Sequence, residues 1–208
     1  MHLAWNAPLG GLSLHNADRT LGLEEGPPSS LLLLRVGEAE RAAVTQAIGV
    51  MLPRMGVAHV EEPAHGPIRG NTLAVLAAGE RYLIKAAIGH ADAIAAEIAS
   101  ALAATEHQLV DVTHATATLI LSGTVEPVLS RVSTLDLRAF RPGDVAAAPL
   151  ARVPATLWRQ EDGCEIYVPA SRALFVAAHL ARAGHVLGLP ALALPERQMA
   201  NDGGLARA

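Results

Sequence analysis

Residues 109–131 constrain this chain more than any other stretch. Leu109, Val110 and Val112 flank Asp111, after which Thr116, Thr118, Ile120 and Ser122 alternate with Ala117, Leu119 and Leu121. A period of two, rich in β-branched residues, predicts a strand with two differently furnished faces. Ser122-Gly123 breaks the alternation, and Thr124 stands where a helix N-cap is expected. Glu126 follows in the first turn, where a carboxylate favours the helix dipole, and Pro127 is tolerated that early. The unit therefore reads as strand, tight turn and short helix.

The same grammar recurs elsewhere. Leu31–Val36 is a short apolar run closed by Gly37, and Glu38–Met51 has helical spacing up to Pro53. Residues 53–71, rich in Pro and Gly, read as a long connection. Thr72–Ala78 and Arg81–Ala87 flank Gly79-Glu80, which predicts a two-residue hairpin. His90–Thr105 then places Ala91, Ile94, Ala95, Ile98 and Leu102 on one helix face. Past a loop around Arg141–Asp144, Val153–Arg159 and Cys164–Val168 form a second predicted hairpin through Gln160–Gly163. Ser171 is a suitable N-cap for a helix over Arg172–Gly184, with Gly184 at its C′ position.

Strand, glycine, helix, hairpin, helix thus occurs at 31–105 and again at 115–183, offset by roughly 80–86 positions, and such self-similarity is an architectural signal. The expected fold class is α+β: two pseudo-repeated βαββα, ferredoxin-like lobes packed as one body. Expected boundaries are an irregular N-terminal arm over 1–30, with one short strand near Leu12–Leu14, a first lobe over 31–107, a second over 108–189, and a flexible tail over 190–208.

Composition excludes several classes of function. Apolar residues make up 51% of the 208 and charged ones 17%, so a substantial core is readily buried. So apolar a chain suits a surface covered by a partner, or simply an alanine-rich one. The net charge of −4 is spread without runs, and Lys85 is the only lysine. Neither a nucleic-acid footprint nor a basic amphipathic membrane helix is expected. No window approaches ~18–20 uninterrupted apolar residues, so no membrane span is expected. Pro8, Gly10 and Gly11 interrupt any leader-like core, and the single Cys164 suits a reducing cytoplasm.

The search for chemistry returns no catalytic, cofactor-binding or metal residues. Nine histidines, among them His114, His179 and His185, fall at no metal-ligand spacing. Gly-x-Ser-x-Gly is absent, and Asp111, His114 and Ser122 do not form a triad pattern. Cys164 has no Cys-x-x-Cys partner, and its neighbour Glu165 raises a thiol pKa. Neither dinucleotide nor P-loop glycines occur; Gly123-Thr124 could bind an anion only as any helix start could. Asp111, Asp136 and Asp144 lie in loop-like settings with nothing to group them.

Val110-Asp111-Val112-Thr113, Ala117-Thr118-Leu119-Ile120-Leu121-Ser122-Gly123 and Val128-Leu129-Ser130-Arg131 resemble a segment of the aminomethyltransferase superfamily, which includes the glycine cleavage T-protein. Leu135-Asp136-Leu137, Phe140-Arg141-Pro142-Gly143, Leu150–Trp158 and Tyr167-Val168-Pro169-Ala170-Ser171-Arg172 are similar to the gamma subunit of heterotetrameric sarcosine oxidase. The likeness covers 72–183 well and 31–71 loosely. It implies a folate-binding-domain fold in a non-catalytic chain packed on an alpha subunit, beside beta and delta subunits. It also implies an assembly that uses FAD, FMN, NAD and tetrahydrofolate to demethylate sarcosine oxidatively. A cousin is the small subunit of N-methylglutamate dehydrogenase. The family's folate-dependent catalytic aspartate segment and the Lys-Gly-Cys-Tyr-x-Gly-Gln-Glu signature are both missing, which favours a fold kept for assembly. The alternatives are a free-standing folate or small-molecule binder using a pocket between the lobes, and an independent folate-dependent transferase. For the binder, a lobe interface filled by side chains would be the damaging observation.

Overall fold

The computed structural model describes residues 7–63, 65 and 69–192. In chain order the strands and helices are β1 (Ser13–His15), β2 (Leu21–Glu25), β3 (Ser29–Arg35), α1 (Arg41–Ile48), β4 (Ala58–Glu61), β5 (Leu73–Ala78), β6 (Arg81–Ala87) and α2 (Ala91–Ala101). They continue with β7 (Gln108–Asp111), β8 (Thr116–Gly123), α3 (Glu126–Val132), β9 (Val145–Leu150), β10 (Val153–Gln160), β11 (Gly163–Pro169) and α4 (Ala173–Gly184). The strands make two sheets, β4-β5-β6-β3-β7 and β1-β2-β8-β11-β10-β9, in which every neighbouring pair is antiparallel.

Alternation sorts each strand between two environments. In the first sheet Leu32, Leu34, Val75, Tyr82 and Ile84 pack under α1 and α2, with Val44, Ile48, Ile94 and Ile98. In the second, Leu21, Leu23, Leu119, Leu121, Leu157 and Ile166 pack under α3 and α4, with Val128, Leu129, Val176 and Leu180. The intervening residues face the other sheet: Leu31, Leu76, Ala78 and Leu83 meet Val145, Tyr167 and Trp158 in a third cluster. The result is four layers, helices outside and the two bare sheet faces together, which satisfies both sides of every central strand.

The expected α+β class holds, and its details change. Each half runs strand, helix, three strands, helix rather than βαββα, because β4 falls where a connection was expected and β9 in the stretch after the Arg141–Asp144 loop, where no element was expected. β9 is alanine-rich with Pro149 near its end, a poor intrinsic strand that exists by pairing with β10 from Leu150 to Val145. The stretch 109–123 is two strands, not one. β7 pairs with β3 in the first sheet, across the expected lobe boundary, and β8 is central in the second. The short strand expected near Leu12–Leu14 is β1, but the arm also carries the unexpected β2, which pairs along β8 from Leu21–Gly123 to Glu25–Leu119. The strand before β3 therefore completes the second sheet, and the strand before β8 completes the first. Most of the expected tail, like Trp5, lies outside the described residues.

Turn chemistry held where glycine preceded an alternation. Gly79 and Glu80 both have positive φ, 55° and 67°, so the β5–β6 hairpin closes in a type I′ turn. The helix ends differ from expectation. Thr124 is not the α3 cap, since Val125 precedes the helix without a side-chain bond, and Ser171 falls in a 3-10 turn before α4. Gly184 is the last residue of α4, packed against Leu189 and Leu21, while the left-handed position belongs to Gly188. Nor are Gly37 and Gly123 equivalent joints. Gly123 alone of the two has positive φ, and a Cβ there would lie 1.9 Å from the Thr20 carbonyl oxygen. That contact is where β2 crosses the end of β8.

Candidate functional site

A polar cluster in the seam between the sheets forms where alternation puts charged residues on inward-facing positions of two strands. On β6, Lys85 follows Leu83 on the face turned to the second sheet. On β11, Glu165 and Tyr167 occupy the matching face, and Trp158 of β10 is the cross-strand partner of Glu165. Lys85 Nζ donates to Glu165 Oε2 at 2.7 Å, with the two side chains only 18% and 15% exposed. Tyr167 Oη donates to the same carboxylate oxygen. The ammonium lies 5.9 Å from the Tyr167 ring centroid and 6.0 Å from that of Trp158, within cation–π range.

These groups satisfy one another. The carboxylate accepts from an ammonium and a phenol, and the ammonium is paired and flanked by rings. Burial, then the adjacent Glu165 charge, holds the Tyr167 phenol well above its ordinary value, so it donates and does not act as a base. The cluster is a clasp between sheets, with no nucleophile or free base to offer a substrate.

Beyond Tyr167 the seam opens into a cleft of about 600 Å³. Its walls are aliphatic, with Leu33, Leu76 and Leu83 facing Pro149, Pro154 and Thr156. Arg81, at the hairpin, is the only charged residue on its lining. The interface between halves is thus filled at the clasp and hollow beside it.

Elsewhere the residues weighed from sequence serve the backbone. Asp111 Oδ1 accepts the Thr113 N–H at 2.8 Å, and Thr113 Oγ1 accepts the Leu31 N–H at 3.0 Å, fixing the turn between β7 and β8. Asp136 accepts from the Arg138 N–H and Asp144 from the Arg141 N–H, each closing its own loop. The three carboxylates are not gathered. Ser122, near the far end of β8, pairs with Gly22 and Gly163, remote in register from Asp111 and His114. The Gly123 and Thr124 amides are taken by the Asp162 and Thr20 carbonyls, which removes them as anion ligands. Cys164 is buried; desolvation pushes its thiol up to about 12 despite nearby Arg159. His179 and His185 place ring nitrogens on the Phe175 and Leu189 carbonyls, and no cluster of metal-ligating side chains occurs among the described residues.

Sequence reasoning passed over the clasp. Its signal was present: Lys85 interrupts Tyr82-Leu83-Ile84-Lys85-Ala86, and Glu165 interrupts Cys164-Glu165-Ile166, each a lone charge in an apolar strand. What links them is the stacking of two sheets, which no local pattern encodes.

No family model and no curated protein matches the sequence. Among solved structures, the chain superposes on heterotetrameric sarcosine oxidase from Corynebacterium sp. U-96, in complex with pyrrole 2-carboxylate, with a TM-score of 0.74 at 24% identity. The match covers 91% of this chain and 99% of that one. It also superposes on the glycine cleavage system aminomethyltransferase T from Bartonella henselae, with a TM-score of 0.60 at 21% identity. There it covers 77% of this chain but spans only 45% of the aminomethyltransferase. The chain shares the fold of both. The superposition agrees at the level of fold with the resemblance read from the sequence. The coverage separates the two likenesses: the match spans 99% of the oxidase chain and 45% of the aminomethyltransferase.

Proposed function

We propose that this chain is a non-catalytic, gamma-type subunit of a sarcosine-oxidase-like flavoenzyme complex of the cytoplasm. The observation that carries the reading is the two-way coverage of the oxidase chain, 91% and 99%, which a fold shared only with part of a larger enzyme would not produce. The chemistry of the seam supports it. Its polar groups neutralise one another; elsewhere the Cys164 thiol, in the core under the helices, is held protonated by burial, and the loop carboxylates Asp111, Asp136 and Asp144 are spent on turns. On this reading the chain packs on an alpha subunit in an assembly with beta and delta subunits. The FAD, FMN, NAD and tetrahydrofolate of N-demethylation sit on those other chains. Exposed Met51, Met55, Val60, Phe175 and Val186 supply apolar surface for such packing.

Co-expression tests this directly. The chain, tagged and produced with the alpha, beta and delta homologues of its own genome, is expected to co-elute with a flavin-bearing complex in fixed proportion. Elution as a monomer apart from an intact, active three-subunit complex would contradict the proposal.

The cleft favours one second reading, a free-standing binder of folate or another small molecule, since about 600 Å³ is a ligand-sized space. Calorimetric titration of the isolated chain with tetrahydrofolate separates the two: micromolar binding supports the binder, and no heat supports the subunit.

A further inference from the structure

We infer that the cleft between the sheets is a binding site for an unbranched aliphatic carboxylate, held tail-inward with its acid group on Arg81. The inference stands apart from the subunit proposal and does not require it. Three observations carry it. The first is the chemistry of the walls: leucines of the first sheet face prolines and alanines of the second, and the sole aromatic on the lining is Tyr167. Such walls contact a flexible hydrocarbon chain over its length and give a planar ring system one surface to stack on. The volume, about 600 Å³, lies in the range of small-molecule sites.

The second is the charge at the cleft. Arg81 is the only ionised residue on the lining, and its guanidinium makes no hydrogen bond or ion pair with any described residue. Lys85, the cation of the clasp, is paired with Glu165 and is not on the lining. One free guanidinium selects one carboxylate, whose two oxygens it can take in bidentate fashion. The third is the hydroxyl set. Thr116 and Thr156 also line the cleft, and neither hydroxyl bonds a described residue, so both remain to serve an incoming polar group. Apolar walls, one unengaged cation and two unengaged hydroxyls describe a monoanionic amphiphile. A dianionic, planar ligand of the folate kind would find too few cations and one ring.

The probe is dodecanoate below its micellar concentration, titrated calorimetrically into the full chain. The expected result is saturable one-to-one binding, weakened about tenfold by Arg81→Ala, the loss of a charge-assisted bond, and retained in Arg81→Lys. Dodecyltrimethylammonium, with the same tail and opposite charge, is expected to bind at least about tenfold more weakly. Thr156→Trp, which fills the cleft from a central strand, is expected to abolish binding while leaving the thermal midpoint near that of the parent. The inference is overturned if the parent chain gives no saturable heat with dodecanoate. It is equally overturned if the ammonium amphiphile binds as well, or if dodecanoate binds undiminished to both a folded Thr156→Trp chain and Arg81→Ala. Loss of the Thr156→Trp fold leaves the charge-reversal and Arg81 comparisons to decide the matter.

Discussion

Lys85 is the only lysine of the chain, and the fold spends it between its two sheets. An ion pair this shielded is held by its geometry, because removing one partner leaves a desolvated charge behind. Lys85→Met is therefore expected to lower unfolding free energy by about 3 kcal/mol in urea titrations. The double variant Lys85→Met/Glu165→Gln should recover most of that loss, since no buried charge remains. Equal losses in the single and double variants would mean the pair contributes only through packing. Burial has a second consequence, visible in alkali. The Cys164 thiol, pushed up to about 12 from 9.0, and the Tyr167 and Tyr82 phenols, raised above 10.0, stay neutral in the fold after they would ionise in the unfolded chain. Protons are then lost preferentially by the unfolded state, so stability is full below pH 9.0 and falls as pH rises toward about 12. Melting midpoints measured across that window should fall, with a shallower slope in Cys164→Ala.

At the level of elements, the two halves are tied by the strands they lend each other. Leu23 of β2 is fully buried in the core of the second sheet, so Leu23→Ala should cost about 3 kcal/mol by chemical denaturation, as a core leucine does. An arm merely lying on the surface would lose far less. Gly123→Ala should be as damaging, about 3 kcal/mol, because φ of 81° strains a side chain and the Thr20 carbonyl occupies its space. These elements also mark where the sequence was legible. Apolar, strand-like runs bounded by turn residues, as in Arg81–Ala87 and Val153–Arg159, revealed their strands. β2 was hidden because Leu-Gly-Leu-Glu-Glu has only two core residues and lies among glycines. β4, with Ala58-His59-Val60-Glu61, is an edge strand too short and too polar on its outer side to announce itself. The helix ends were misplaced by a residue or more because they rest on backbone geometry, as at Gly188, more than on capping side chains. The clasp and the cleft arise only when two sheets meet, so the local pattern named their residues' strands and not their encounter.

For the whole molecule, we propose an α+β body of two paired sheets that serves as a structural subunit, its polar seam closed upon itself. A fold shared end to end with an oxidase chain, and in part with an aminomethyltransferase, fits such a role. Exposed Met51, Met55, Phe175 and Val186 are apolar side chains that such an assembly would cover. Native mass spectrometry of the complex captured through this chain in its own host is the most direct measurement. One copy of the 21.6 kDa chain per flavin-carrying large subunit is expected, and loss of that complex when Phe175 and Val186 are both replaced by Asp. A free 21.6 kDa monomer as the sole species would contradict it.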